Sequence, residues 1–171
     1  HAPFSHSFEP LMPLRSALPL PREWYEDFDG EAKATHEDYS VAAIYQMSQE
    51  SGALIGEDEA RDICALVTGR ISPTARLRTN SDAPSIYPLL KQIISGEIDA
   101  DRMDYLRRDA HYAGVTYGHF DLERLVNSLS CHSTPMGLVM ALEQNAVYTY
   151  ENFLMARFHM AMQVYYHKSL P

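Results

Sequence analysis

The sequence predicts a mainly α-helical fold with one small β-hairpin. Apolar residues recur at helical spacing in several segments, and most of these segments end at a glycine. Prolines, which interrupt helices, are concentrated near the start of the chain, where five of the ten lie within the first 21 residues. The segment PMGLVMAL differs from the rest because it is broken by glycine and rich in branched residues, which is typical of a strand.

The proline-rich first 21 residues are predicted to form a long loop. The first helix is predicted from about 36 to 50, since Thr35 can cap it and acidic residues fill its first turn. A second helix is predicted from Glu57 to Val67, before Gly69, and a third from about Pro84 to Ile94.

The second half of the chain contains the most regular helical patterns. The segment from Asp99 to Gly114 carries an apolar stripe between charged residues, and LERLVNSL after Asp121 predicts a shorter helix. PMGLVMAL is expected to pair with the stretch from Ser128 to His132 as a hairpin. The proline-free run from Asn145 to Lys168 predicts the longest helix, roughly 36 Å at 1.5 Å per residue.

Length and composition restrict the class of protein. A chain of 171 residues with 46% hydrophobic residues fits one globular domain. The longest apolar stretch, from about Leu138 to Leu142, is far shorter than the roughly 20 residues that cross a bilayer, so a membrane-bound protein is not expected. The formal charge of −9 argues against general binding to duplex nucleic acid.

The cysteines predict the cellular compartment, and the first residue bears on whether the chain is part of a longer one. Cys64 and Cys131 are the only cysteines, and they form neither a disulfide framework nor a CxxC zinc motif. We therefore expect reduced thiols and a cytoplasmic location. Because the chain begins at His1 without an initiator methionine or a signal peptide, we interpret it as part of a longer chain.

Two histidine-containing segments are candidates for chemistry. HAPFSHSFE places His1, His6 and Glu9 on a proline-constrained turn, and His36 follows Thr35 at a helix start. An imidazole near a carboxylate can transfer protons near neutral pH. A solvated loop and an ordinary helix cap are the plainer interpretations of the same segments.

The charged helix after Asp99 presents a second set of candidates. Spacings of four residues put Asp101, Tyr105 and Asp109 on one face, with Arg102 beside them. A solvated face held by salt bridges is the plainer interpretation. The central tyrosine favours a binding site, because a purely solvated face does not need it.

The last predicted helix carries a third set. Arg157, Ala161 and Tyr165 are expected to share a face, with His167 and Lys168 nearby. Aromatic and methionine residues at helical spacing more often form core than site. We therefore keep only Arg157, Tyr165 and His167 as candidates.

Taken together, these motifs resemble a known family. HxPFSHxxE, then THE at a helix start, then IDADRMDYLRRDAHYAG, then a long helix with an arginine and YxHK are similar to the HD-domain phosphohydrolases. Within them the pattern looks most like the deoxynucleoside triphosphate triphosphohydrolases. The resemblance runs from His1 to Lys168, and the order of four motifs makes it specific.

The resemblance implies an HD-domain helical bundle over residues 1–171 that lacks the N-terminal helices and begins just after the family's His-Asp motif. It implies a hydrolase that releases deoxynucleoside and triphosphate with a divalent metal, which could be Mn, Fe, Mg, Ni or Zn. Asp101 matches the family's late metal-ligand aspartate. The other metal ligands are expected upstream of His1, since one carboxylate does not make a tight site.

The resemblance also implies individual roles. His1, steered by Glu9, would act beside the attacked phosphate, and His36 would stabilise the leaving oxygen or the triphosphate. The residues implied to bind substrate are Arg102 and Arg157 for phosphate, Tyr165 with His167 nearby for phosphate and sugar, Tyr105 under the deoxyribose, and Asp109 at the 3′-hydroxyl. A nucleotide effector and a homo-oligomer are further expectations.

Two other functions remain open from the sequence. One is a non-catalytic HD-fold module that binds nucleotide or forms an oligomer interface, which the absent metal ligands favour. The other is an HD hydrolase of other nucleotides. The joint presence of the candidate residues favours the triphosphohydrolase over both.

Overall fold

The computed structural model describes residues 11–78 and 84–166. The candidates His1, Glu9 and His167 lie outside these residues. The fold divides into two compact units, His1–Tyr87 and Pro88–Pro171, which are described here one at a time. The interpretation of 1–171 as one HD domain stays a prediction.

The predicted class is confirmed: the chain is mainly helical and has one small antiparallel hairpin. Within the part of the chain that the structure describes, no helix is both long and apolar enough to cross a bilayer.

The first unit starts with an irregular segment and continues with helices. A short 3₁₀ turn, Arg15–Ala17, interrupts the predicted loop, and a second one, Arg22–Trp24, follows it. They are followed by helices α1 (His36–Gln49), α2 (Glu57–Thr68) and α3 (Ala75–Arg78).

The core of the first unit lies between α1, α2 and the irregular segment. Its buried residues include Trp24, Val41, Ala60, Cys64 and Ile71. The buried face of α2 carries apolar residues that recur at helical spacing in the sequence.

The second unit contains the helices and the hairpin predicted for the second half of the chain. Helix α4 (Tyr87–Ser95) starts at the boundary of the units, and α5 (Ala100–Ala113), α6 (Leu122–Asn127), β1 (Leu129–Thr134), β2 (Gly137–Leu142) and α7 (Val147–Met160) follow. The strands pair with Leu129 opposite Leu142 and Thr134 opposite Gly137. The hairpin therefore lies where the sequence predicted it.

The last predicted helix requires a correction. A 3₁₀ turn at Gln144–Ala146 precedes α7, and the regular α-helix ends at Met160. A π-helical turn, Ala161–Tyr165, continues it. Composition and absence of proline predict a continuous helix, but they do not reveal a change in hydrogen-bond pattern within it.

The core of the second unit joins α5, α6 and α7. Leu106, Ala110, Leu125, Phe153 and Met160 are fully buried there. This packing brings one face of α5 close to the end of α7, and Tyr105, Asp109 and Tyr165 lie along that contact.

Candidate functional site

The start of α5 is a capped helix end that also fixes an arginine. The Asp99 side chain accepts a hydrogen bond from the Arg102 backbone N–H at 2.7 Å. The Arg102 guanidinium reaches back to Asp99 at 3.0 Å and donates to the Gly96 carbonyl. Arg102 is therefore held at the first turn of α5, and burial of the Asp99 carboxyl raises its pKa despite the nearby arginine.

Two tyrosines and an aspartate meet between α5 and the π turn. The Tyr165 hydroxyl donates to Asp109 Oδ2 at 2.8 Å, and the Tyr105 ring meets the Tyr165 ring edge to face at 6.0 Å. Burial raises the pKa of Tyr165 well above the usual tyrosine range, and the bond to Asp109 adds to this. The pKa of Tyr105 is also raised, mainly by burial. Both phenols are therefore neutral hydrogen-bond donors at physiological pH.

Arg157 is the cation of α7 in this region. It donates to Glu97 Oε2 at 2.8 Å, and this contact holds the pKa of the exposed Glu97 carboxyl below its usual range. Burial raises the pKa values of Tyr105 and Asp99 overall, although the positive charge of Arg157 acts to lower both. Because exposed ion pairs contribute about 0–1 kcal/mol, an anionic ligand can displace Glu97 from Arg157 at small cost.

Asp101 lies exposed in the first turn of α5. Together with burial, its negative charge contributes to the raised pKa values of Asp99 and Tyr105. Among residues 11–78 and 84–166, no three His, Cys, Asp or Glu side chains are grouped as a metal site would require. The described residues thus offer a single carboxylate and do not by themselves fit a divalent metal.

His36 lies in the first unit, at the first position of α1. The cap before it is a reciprocal one, since Thr35 N–H donates to Asp38 Oδ2 at 2.9 Å and Thr35 Oγ1 accepts from Asp38 N–H. The grouping of His36 with the candidates of the second unit stays a prediction from the resemblance.

Asp38 was not a candidate from the sequence, although it is fully buried. Arg15 Nε lies 3.3 Å and Arg70 Nη2 lies 3.1 Å from Asp38 Oδ1. The Arg15 guanidinium also lies over the rings of Tyr25 and Phe28, 4.9 Å from each. The i+3 spacing from Thr35 indicated the cap, but nothing local indicated the two arginines, which are distant along the chain.

Other contributors at the second-unit cluster were also missed. Asp99 was recognised only as the start of a helix, and its spacing of three residues from Arg102 could have indicated the ion pair. Glu97 had no such signal, because Arg157 lies 60 residues away in sequence.

Comparisons with known proteins find similarity over parts of this chain or nearly all of it. Residues 120–169 match the family model described as the HD associated region. The uncharacterized protein YwfO of Bacillus subtilis is 30% identical over 98% of this chain, which spans 30% of that protein. The deoxynucleoside triphosphate triphosphohydrolase SAMHD1 of Homo sapiens is 29% identical over 74% of this chain and 20% of its own length.

A solved structure is similar as well. The crystal structure of a hypothetical protein from Aquifex aeolicus has a TM-score of 0.62 and 29% sequence identity, over 98% of this chain and 37% of that chain. The chain thus spans about a third of the length of these relatives or less. Residues 120–169 are thus similar to the HD associated region, and the proteins that this chain resembles at a distance include deoxynucleoside triphosphate triphosphohydrolases.

Proposed function

We propose that this chain contributes the substrate-binding part of a metal-dependent phosphohydrolase that acts on deoxynucleoside triphosphates and releases deoxynucleoside and triphosphate. The observation that carries the proposal is the contact of Tyr105, Asp109 and Tyr165 beside two arginines. It combines a neutral, ring-lined end with a cationic end, as a nucleotide requires. The printed name of the human relative supports the same substrate class.

The ring-lined end is suited to a deoxyribose. Tyr105 offers an apolar ring, and a ring packed against C2′ leaves no room for a hydroxyl. The Asp109 carboxylate can accept a hydrogen bond from the 3′-hydroxyl while Tyr165 holds one of its oxygens in place. Tyr165 therefore orients Asp109 toward the 3′-hydroxyl, and the Tyr105 ring is the part of this end that distinguishes deoxyribose from ribose.

The cationic end is suited to the phosphates. Among the residues that the structure describes, Arg157 pairs with the exposed carboxylate of Glu97, so it can turn to a phosphate oxygen. Arg102 is held by Asp99, and its guanidinium presents further N–H donors from a fixed position. Arg157 would turn to contact the substrate phosphates, whereas Arg102 would orient them from its fixed position. His167 belongs to the same proposed binding set.

The chemical step depends on groups beyond this cluster. A divalent metal is part of the proposal, with Asp101 as one ligand and further donors outside the described residues. His1 with Glu9 and His36 are proposed for proton transfer and for stabilising the leaving group. A nucleotide effector, a homo-oligomer and a cytoplasmic location belong to the proposal in the same way.

The test of the proposal is replacement of Asp101 by Ala in the intact protein. We expect loss of metal and of dNTP hydrolysis together, measured by elemental analysis and by release of triphosphate. Asp104→Ala is the matched control, because Asp104 lies on the same helix and pairs with Arg108 on its exposed surface. Full turnover by the Asp101 variant after exhaustive chelation would contradict the metal-dependent function.

A non-catalytic nucleotide-binding module is the second candidate, and the lack of a three-donor metal cluster in residues 11–78 and 84–166 favours it. It predicts dNTP binding without turnover in the intact protein. Calorimetric binding of a dNTP together with no product after long incubation with each candidate metal would support this alternative over hydrolysis.

A further inference from the structure

The helix that carries Arg157 and Tyr165 changes its hydrogen-bond pattern between these two residues. After Met160 the backbone forms a π turn, in which Tyr166 N–H donates to the Ala161 carbonyl at 2.9 Å, five residues back. π turns within α-helices are uncommon and frequently lie at functional sites.

The π turn changes the direction in which Tyr165 points. In a regular α-helix each residue turns about 100°, so the eight residues from Arg157 would leave Tyr165 about 80° away around the axis. A π turn takes up about one extra residue. The effective spacing becomes seven residues, which brings Tyr165 to within about 20° of the Arg157 face.

A close packing contact lies next to the π turn. Gly118 is buried in the turn after α5, and a Cβ at this position would lie 2.6 Å from Ala110 Cβ and 2.8 Å from Met160 Sδ. Real Cβ atoms essentially never approach so closely, so a side chain here would force these groups apart. Met160 is the last residue of α7 before the π turn, and Ala110 follows Asp109 on α5.

We propose that Gly118 and the π turn at Ala161–Tyr165 are the positioning element of the sugar-binding end of the cluster. Gly118 sets the distance between α5 and the end of α7, and the π turn sets the rotation of Tyr165 about the helix axis. With the present number of residues between Arg157 and Tyr165, both are needed for the Tyr165 hydroxyl to reach Asp109 and for its ring to meet Tyr105. The link to sugar recognition rests on the proposed function, whereas the contact itself does not.

Two variants of the π turn test the rotation. Deleting Gln163, an exposed residue of this turn, should restore a regular α-helix and keep Tyr165 on the same face. Inserting one alanine after Gln163 rotates Tyr165 by about 100° further around the helix axis. A single π turn already accommodates one extra residue and does not accommodate a second. The readouts are the ring-to-ring nuclear Overhauser contact of Tyr105 with Tyr165 and the slowly exchanging Tyr165 hydroxyl proton, assigned with Tyr165→Phe.

We expect both signals to persist in the deletion variant and to disappear in the insertion variant. Equal loss in both variants, or persistence in both, would overturn the role of the π turn. These signals do not depend on turnover, so a failure here is distinguishable from failure of the proposed hydrolysis.

A methyl exchange tests Gly118. Gly118→Ala should remove both signals. The double variant Gly118→Ala/Ala110→Gly should restore them in part, because it removes the contact with Ala110 Cβ while Met160 Sδ still lies 2.8 Å from the added Cβ. In the intact protein the single variant should raise KM for a dNTP by about 10-fold with a smaller effect on kcat, the loss of about one hydrogen bond to a charged group. Unchanged signals in Gly118→Ala would overturn its positioning role.

Discussion

Tyr105 illustrates how one side chain can serve both packing and recognition. Its ring is half-buried against the second-unit core and meets the Tyr165 ring, while its charge environment includes Arg157 and Arg102. A solvated helix face has no use for such a ring. The residue is therefore the one in α5 whose replacement best separates recognition of the sugar from recognition of the phosphates.

Tyr105→Ala in the intact protein should reduce discrimination between deoxyribose and ribose substrates. The parent is expected to prefer dNTP over NTP because the ring excludes a 2′-hydroxyl, whereas Asp109 would bind the 3′-hydroxyl that both sugars carry. The separate hydrogen bond from the 3′-hydroxyl to Asp109 contributes about 1.5–3 kcal/mol, roughly 10- to 150-fold in affinity, for either sugar. The discrimination is measured as the ratio of kcat/KM for dNTP to that for NTP, in the parent and in the variant. Equal rates in the parent would reject the dNTP preference.

The two cysteines should differ in reactivity. Burial raises the pKa of the Cys64 thiol to about 12, whereas Cys131 is exposed on β1. A thiol-specific reagent at neutral pH should modify Cys131 rapidly and Cys64 only after unfolding. Cys131→Ala is the matched control, and rapid modification of the folded variant would contradict the burial of Cys64.

The Cys64 thiol also predicts a dependence of stability on pH. Its folded pKa of about 12 lies above the ordinary value of 9.0, so the folded state keeps a proton that the unfolded chain releases. The contribution to stability is complete below about pH 9 and is lost as the pH rises through about 12. Cys64→Ala should reduce this alkaline slope in urea unfolding.

Helix α1 shows how the N-terminus of an element can be tied to distant segments. Its cap uses Asp38, and the same carboxylate holds Arg15 from the irregular segment and Arg70 from beyond α2. Arg15 is only 4% exposed, so its charge depends on Asp38 for compensation. The cap therefore joins three parts of the first unit.

Asp38→Asn should destabilise the first unit by about 3–5 kcal/mol, because it leaves the buried Arg15 without its counter-ion. Glu37→Gln is the matched control. Glu37 neighbours Asp38 and contacts Arg70, but it is partly exposed, and its loss should cost no more than about 1 kcal/mol. Urea unfolding of both variants measures the difference. Similar stabilities would mean that Asp38 does not hold the network.

The charge of the whole molecule restricts its partners. With 14 Lys and Arg residues against 23 Asp and Glu residues, its formal charge is −9. Arg102 and Arg157 are the cations that we propose bind a nucleotide, and two arginines do not form an extended basic surface. Polyanions gain little counterion release on such a protein.

The chain should therefore show no saturable binding to duplex DNA at physiological salt. Fluorescence anisotropy of a labelled duplex measures it, and the salt dependence serves as the internal control. Micromolar or tighter binding that weakens as salt increases would contradict this interpretation of the net charge.

The positions of the main helices and of the hairpin follow from local signals. Caps such as Thr35 and Asp99, terminal glycines such as Gly69 and Gly114, and the glycine and branched residues of PMGLVMAL act within a few residues. The face shared by Asp101, Tyr105 and Asp109 likewise follows from helical periodicity alone. These features were predictable because their causes lie close together in the sequence.

Other features depend on which segments pack together. The ion pairs Arg157–Glu97 and Arg15–Asp38, the bond from Tyr165 to Asp109 and the contact at Gly118 join residues that are distant along the chain. The spacing of apolar residues along the last helix likewise does not predict the π turn. A local pattern records the preference of a segment, whereas long-range packing and the satisfaction of buried polar groups select the partners and the final rotation of each side chain.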